Sequence, residues 1–226
     1  MEPIENLGHQ IVLLAIDSAS GALRKSSKLG STVATAVLAE LVLQERVRRV
    51  PPTRVTPSRK IQVRDSRPTD EPMVDAMLAD LTGRPDRDPR LIIKEPRDTY
   101  RDLAIQELLS NGWLALVSSS RLSVNRYRLP DDDRVNVARR LALQGFNDPK
   151  GSPTRAAYLA GMASVTGLDS EIAPDLRFFG RRKARSELID RFWLLDELQA
   201  RFSANTAVLV TAPASRQFGG LAPDKR

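Results

Sequence analysis

Apolar residues along the chain recur mostly at helical spacing. Residues 4–17 carry Ile4, Leu7, Ile11 and Leu14 on one stripe and read as a first helix. Residues 17–31 hold Gly21, Gly30 and five serines, which predicts a basic connecting loop. The stretch Thr32–Val50 follows, with Val33, Val37, Leu38 and Leu41 on a stripe that continues through Val42 and Val47. A membrane span needs roughly 20 apolar residues, and a carboxylate inside one costs a few kcal/mol. Glu40 interrupts this stretch, so it predicts a central core helix rather than a span. Its closing arginines suit the negative end of a helix dipole.

Farther on, residues 46–50 (RVRRV) and 60–65 (KIQVRD) alternate apolar and charged positions, the signature of a short hairpin. Residues 70–83 return to helical spacing through Met73, Met77, Leu78 and Leu81, and residues 84–90 form a polar loop. The next helix starts at Asp98 or Thr99 as cap, buries Leu103, Leu108 and Leu109, and stops at Asn111-Gly112. Residues 113–129 then read as strand, turn, strand. Asp131, Asp132 and Asp133 open another helix, where three acids favour the dipole and serve as a cap cluster. Residues 152–168 predict a small-residue helix that packs closely, and 177–202 one amphipathic helix with a basic start. The tail 211–226 is rich in Pro, Gly and Ala and reads as disordered. Together these elements predict a mainly α, single-domain helical bundle (residues 1–210) around a central apolar helix, with one or two short β-hairpins.

Composition narrows the chemistry. Hydrophobic residues make up 41% of the 226, enough for a proper core. The absence of cysteine excludes disulfides, thiolate metal sites and a cysteine nucleophile. A lone histidine, His9, excludes most triads and two-histidine metal sites, and its setting beside Ile11 predicts a half-buried structural role. Ser119, Ser120, Asp131–Asp133 and the pair Glu40 and Glu45 are the remaining candidates for catalysis. Glu40 and Glu45 are five apart and do not share a helix face, and nothing joins a nucleophile to a base. The chain therefore reads as a non-enzyme without cofactor or metal. The start of the sequence lacks the basic and apolar regions of a signal peptide, which makes a cytoplasmic location the expectation.

Net charge is +7, with 28 arginines against 7 lysines, so the partners expected are anionic. Residues 177–185 hold five bases and no acid (Arg177, Arg181, Arg182, Lys183 and Arg185) beside Phe178 and Phe179. A basic face with an apolar wedge is what a peripheral membrane protein needs. Phe178 and Phe179 could equally be core residues of a helix start. A helix followed at once by a hairpin, at 98–129, also fits a winged-helix nucleic-acid binder, although Asp98, Asp102 and Glu107 would repel phosphate.

The order of several segments resembles the Golgi phosphoprotein 3 family, in particular its bacterial, actinobacterial-type members. They are IVLLAIDSASGAL (11–23), ATAVLAELVLQERV (34–47), ELLSNGWL (107–114), NRYRLPDDDRVNVARRL (125–141), PTRAAYLAGMASVTGL (153–168) and RRKARSELID (181–190). The resemblance covers roughly residues 8–200. It implies a mainly helical domain and peripheral membrane binding. It also implies a hairpin that can mediate self-association, here 113–129. Eukaryotic members bind phosphatidylinositol 4-phosphate through a basic pocket, tether membrane-bound client enzymes and are not enzymes themselves. By segment, Arg101 falls at one arginine of that pocket, Asp98 at its pair with Arg97 adjacent, Lys25 at the pocket tryptophan and Ala34 at the remaining arginine. The head-group set expected from the resemblance is thus Arg24, Lys25, Lys28, Arg97 and Arg101. The alternative membrane contact is the 177–185 cluster.

Overall fold

A computed structural model describes residues 6–50, 60–85, 87–94, 98–120, 123–130 and 132–210. These residues form ten helices and two antiparallel two-stranded sheets, a mainly α architecture as the apolar periodicity predicts. At the centre lie α1 (Leu7–Ala15) and α2 (Ser26–Leu43). Every residue of α1 is buried, as is every residue of α2 from Leu29 to Leu41.

That burial corrects two expectations. The loop is shorter than the glycines suggest, because α2 begins at Ser26 and runs straight through Gly30. The helix is also buried on all sides rather than along one stripe, since α1, α3, α5, α7 and α10 surround it. By length and composition α2 could cross a membrane, yet 72% of it is buried inside the fold. Its polar residues are satisfied internally. Thr35 Oγ1 donates to the Ser31 carbonyl at 2.8 Å, and Thr32 Oγ1 donates to the Lys28 carbonyl at 3.0 Å. The Thr32 and Thr166 hydroxyls meet at 2.8 Å. Such back-bonding lets a hydroxyl sit in an apolar helix without stranding a donor.

Glu40, 3% exposed, performs the cap that α1 would otherwise lack in part. Its Oε1 accepts from Leu7 N–H at 2.5 Å, while Asn6 accepts from His9 N–H at 3.0 Å. Arg155 closes the site with Nη2 2.6 Å from Oε1 and Nη1 3.1 Å from Oε2. Two orphan amides and one buried charge are resolved together. Burial is the largest influence on Glu40 and raises its carboxyl above the ordinary range, more than Arg155 and Leu7 N–H lower it.

The predicted first hairpin forms. Strand β1 (Val47–Val50) pairs with β2 (Lys60–Val63), Val47 opposite Val63 and Val50 opposite Lys60. α3 (Pro72–Gly83) buries Met73, Met77, Leu78 and Leu81 as expected, with Pro72 in its first turn. The expected polar loop gives way at Pro89 to a short helix, α4 (Pro89–Lys94), which buries Ile92 and Ile93. α5 (Thr99–Ser110) buries Tyr100, Ala104, Ile105 and Leu108. Leu103 and Leu109 are only partly buried, so the face is rotated from the expected one. Asp98 occupies the cap position but makes no capping hydrogen bond.

The second hairpin, β3 (Ala115–Ser120) with β4 (Ser123–Arg128), is irregular in register between Leu116 and Ser120. It docks on the turn after α1, where Tyr127 N–H donates to the Gly21 carbonyl at 2.8 Å. Gly21 has φ +70°, and a side chain there would lie 2.3 Å from the Tyr127 carbonyl oxygen. Only glycine combines that backbone with so close an approach. Leu116 and Val117 remain 46% and 62% exposed on this hairpin.

α6 (Asp133–Asn147) and α7 (Thr154–Thr166) pack as a close pair. Asp132 stands at the cap position of α6 without a side-chain capping bond, and Asp133 lies in the first turn, where an acid favours the dipole. α7 is the predicted small-residue helix, with Ala156 through Thr166 all buried. After α8 (Asp169–Ile172), the expected single amphipathic helix is two: α9 (Phe178–Arg191) and α10 (Trp193–Val210). The break is Phe192, in extended backbone at φ −133° and ψ 116°. Its ring stacks on Tyr158 at 4.1 Å, and Arg191 donates to the carbonyls of Pro149 and Ser152, both at 3.0 Å. Distant contacts therefore outweigh local helix continuity. The tail 211–226 lies outside the described residues.

Candidate anion-binding face

The turn between α1 and α2 delivers the first cations. Asp17 accepts from the N–H groups of Ala19 and Ser20 and from Arg24 Nε at 2.9 Å. The Ser20 amide, then Arg24, hold its carboxyl well below the usual carboxylate range. Arg24 is also ion-paired with Glu171 of α8. It thus ties the turn to α8 and presents a neutralised charge. Lys25 next to it is exposed, in left-handed backbone at φ 52°. Lys28, one turn into α2, is half-buried, with Nζ 5.1 Å from the centre of the Phe202 ring on α10. Burial first, then Arg185 and Lys25, push its ammonium below the ordinary lysine range.

That crowding joins two groups that the sequence leaves as alternatives. Lys25 and Lys28 come from the expected head-group set, and Arg185 comes from the 177–185 cluster. Arg101 sits elsewhere, on α5, between two acids of its own helix end. Its Nη1 is 2.7 Å from Asp98 and its Nη2 2.9 Å from Asp102. Arg97 lies outside the described residues. Ala34, at the fourth pocket position, is wholly buried and contributes no surface.

α9 opens on its aromatic pair. Phe178 and Phe179 are 64% and 78% exposed, so neither is a core residue. Their rings meet edge to face at 5.6 Å. Arg181 is structural: Nη1 donates to the Leu176 carbonyl at 2.8 Å, and Nε is 3.6 Å from Asp169. Arg182 and Lys183 are exposed. Arg185 Nε donates to Gln199 Oε1 on α10 at 3.2 Å. Between α8, α9 and α10 runs a cleft of about 760 Å³. Along α9 its lining includes Phe178, Arg182, Arg185 and Ile189, which helical spacing places on one face, and Asp190, next round the helix from Ile189.

Asp190 and Gln199 were invisible as site residues beforehand. The spacing of 178, 182, 185 and 189 marks that face without reaching Asp190, about 100° round the helix from Ile189; Gln199 requires knowing the elbow at Phe192.

Among the described residues the other candidates lie apart. Glu45 is exposed in left-handed backbone while Glu40 is buried against Arg155. His9, expected to be half-buried, is 4% exposed. Its Nε2 is 2.9 Å from Glu107 Oε2, and its ring meets Trp113 edge to face at 5.9 Å. Arg134 covers the other ring contact of Trp113, at 3.9 Å from its centre. Asp131 and the side chains of Ser119 and Ser120 lie outside the described residues. Among the described residues no three acids or histidines are grouped as a metal site would need.

No curated protein matches the chain. The model of the Golgi phosphoprotein 3 (GPP34) family matches residues 7–204, a span that takes in the central helices, both hairpins and the α9–α10 cleft. The chain belongs to the Golgi phosphoprotein 3 family.

Proposed function

We propose that this protein is a peripheral membrane adaptor. It docks on anionic phospholipid at a cytoplasmic membrane face, holds client membrane proteins there and catalyses nothing itself. The observation that carries this reading is the exposed Phe178–Phe179 pair at the end of a five-base stretch. Two aromatic rings in water have no folding role, whereas a wedge beside cations suits an interface of acyl chains and phosphates. Each Lys or Arg near such a surface contributes about 1 kcal/mol. Membership of the family supports the same reading. The nucleic-acid alternative finds less support, because α5 turns Asp98, Asp102 and Gln106 outward and would meet phosphate with acids.

The test is co-sedimentation with phosphatidylcholine vesicles carrying rising fractions of phosphatidylglycerol. Binding is expected to grow with anionic lipid. It is expected to weaken as salt rises and the Debye length falls from about 30 Å at 0.01 M to about 8 Å at 0.15 M. Phe178→Ser with Phe179→Ser should lower binding and leave the thermal midpoint in place. Arg101→Glu is the comparison at the family-pocket position. A double-serine variant that sediments like wild type refutes the wedge. Wild type that ignores vesicles yet binds duplex DNA at equal salt refutes the membrane reading.

A further inference from the structure

The α9–α10 cleft is graded along its length. Phe178 stands at one end, Arg182 and Arg185 in the middle, and Asp190 at the elbow, about 18 Å away along the helix. Asp196, at the start of α10, lines the cleft with Asp190. The middle is strongly cationic. Among the described residues Lys28, Arg182 and Arg185 have no carboxylate within ion-pair distance. Gln199, a neutral side chain, takes Arg185 Nε, which fixes one edge of the guanidinium. Lys28 lies outside the lining; burial first, then the charges of Arg185 and Lys25, push its ammonium below the ordinary range.

The order along α9 is apolar, cationic, acidic. A phospholipid with an amine in its head group has the same order leaving the bilayer: acyl chains, phosphate, ammonium. We propose that this cleft takes the head group of an aminophospholipid, with the phosphate between Arg182 and Arg185 and the ammonium at Asp190. The inference rests on the membrane reading above and adds a lipid class to it. A purely anionic surface has no use for an acid at the far end of its basic cleft. A phosphate joined by two carbons to an ammonium uses both ends. Arg182 and Arg185 supply donors that match phosphate oxygens. Asp190, with Asp196 beside it in the lining, faces the ammonium that phosphatidylserine carries and phosphatidylglycerol lacks, and the serine carboxylate turns toward the arginines.

The experiment compares phosphatidylserine with phosphatidylglycerol, each at the same fraction in phosphatidylcholine vesicles, using the full chain. Phosphatidylserine is expected to bind about threefold more tightly, the factor that one partly solvated ion pair yields. Asp190→Asn should bring the ratio of phosphatidylserine to phosphatidylglycerol affinity to about one, with the thermal midpoint in place. Arg185→Gln should weaken binding to both lipids. Equal binding of the two lipids by wild type overturns the head-group proposal and leaves the anionic membrane reading standing. A preference that survives in Asp190→Asn overturns it as well. Absence of binding to either lipid overturns the membrane reading itself. A thermal shift with soluble phosphoethanolamine, without vesicle binding, would give the cleft to a free phosphoamine and overturn the lipid source.

Discussion

Glu40 offers the sharpest test of how the core is held. Its carboxylate accepts the Leu7 amide at 2.5 Å and two Arg155 nitrogens at 2.6 and 3.1 Å. Glu40→Ala leaves the Leu7 N–H buried without an acceptor, a loss of about 1–3 kcal/mol. It also removes the carboxylate that Arg155 holds, and breaking a buried pair costs about 3–5 kcal/mol in all. Arg155 is 33% exposed and can turn partly to water, so the lower end applies, about 3 kcal/mol. Glu40→Gln keeps an acceptor for Leu7 and should cost about 1–2 kcal/mol. Urea unfolding at constant m value measures both. The sign of the pH effect follows from the raised carboxyl. A group that holds its proton more tightly when folded contributes most below its unfolded value of about 4.3, and that contribution fades as pH rises through its raised folded value. Glu40→Gln should flatten this part of the pH profile. A loss below about 1 kcal/mol for Glu40→Ala, or an unchanged pH slope in Glu40→Gln, refutes the argument.

Leu38 is wholly buried in α2, and Leu38→Ala should cost about 2–5 kcal/mol in the same assay; a loss well under that range places the helix nearer the surface. Gly21→Ala adds a Cβ 2.3 Å from the Tyr127 carbonyl and should destabilise by about 1–3 kcal/mol, with amide exchange rising in β4; unchanged exchange would show that the hairpin docks elsewhere. The exposed Leu116 and Val117 on β3 predict concentration-dependent self-association by sedimentation velocity, lowered by Val117→Asp; a wild type that stays monomeric at high concentration removes this interface.

Much of the helical layout was legible because apolar spacing is local. Met73, Met77, Leu78 and Leu81 share a face whatever they pack on, and α3 buries all four. The small residues of 156–166 announced a close-packed helix, and the hairpin partners 47–50 and 60–63 announced themselves by alternation. Phe178 and Phe179 with their five bases were likewise readable, though not whether the rings face water. What spacing could not decide was which faces meet. The face of α5 is Tyr100, Ala104, Ile105 and Leu108 because α1 and α2 lie against it, and no count of leucines contains that choice. The elbow at Phe192 depends on Tyr158 and on the carbonyls of Pro149 and Ser152, all far along the chain. Without that elbow there is no α9–α10 cleft, and without α10 under Lys28 there is no meeting of Lys28 with Arg185. Periodicity reports the surface each helix offers; the contact free energy between distant surfaces selects the pairing, and that term exists only once the chain has closed on itself.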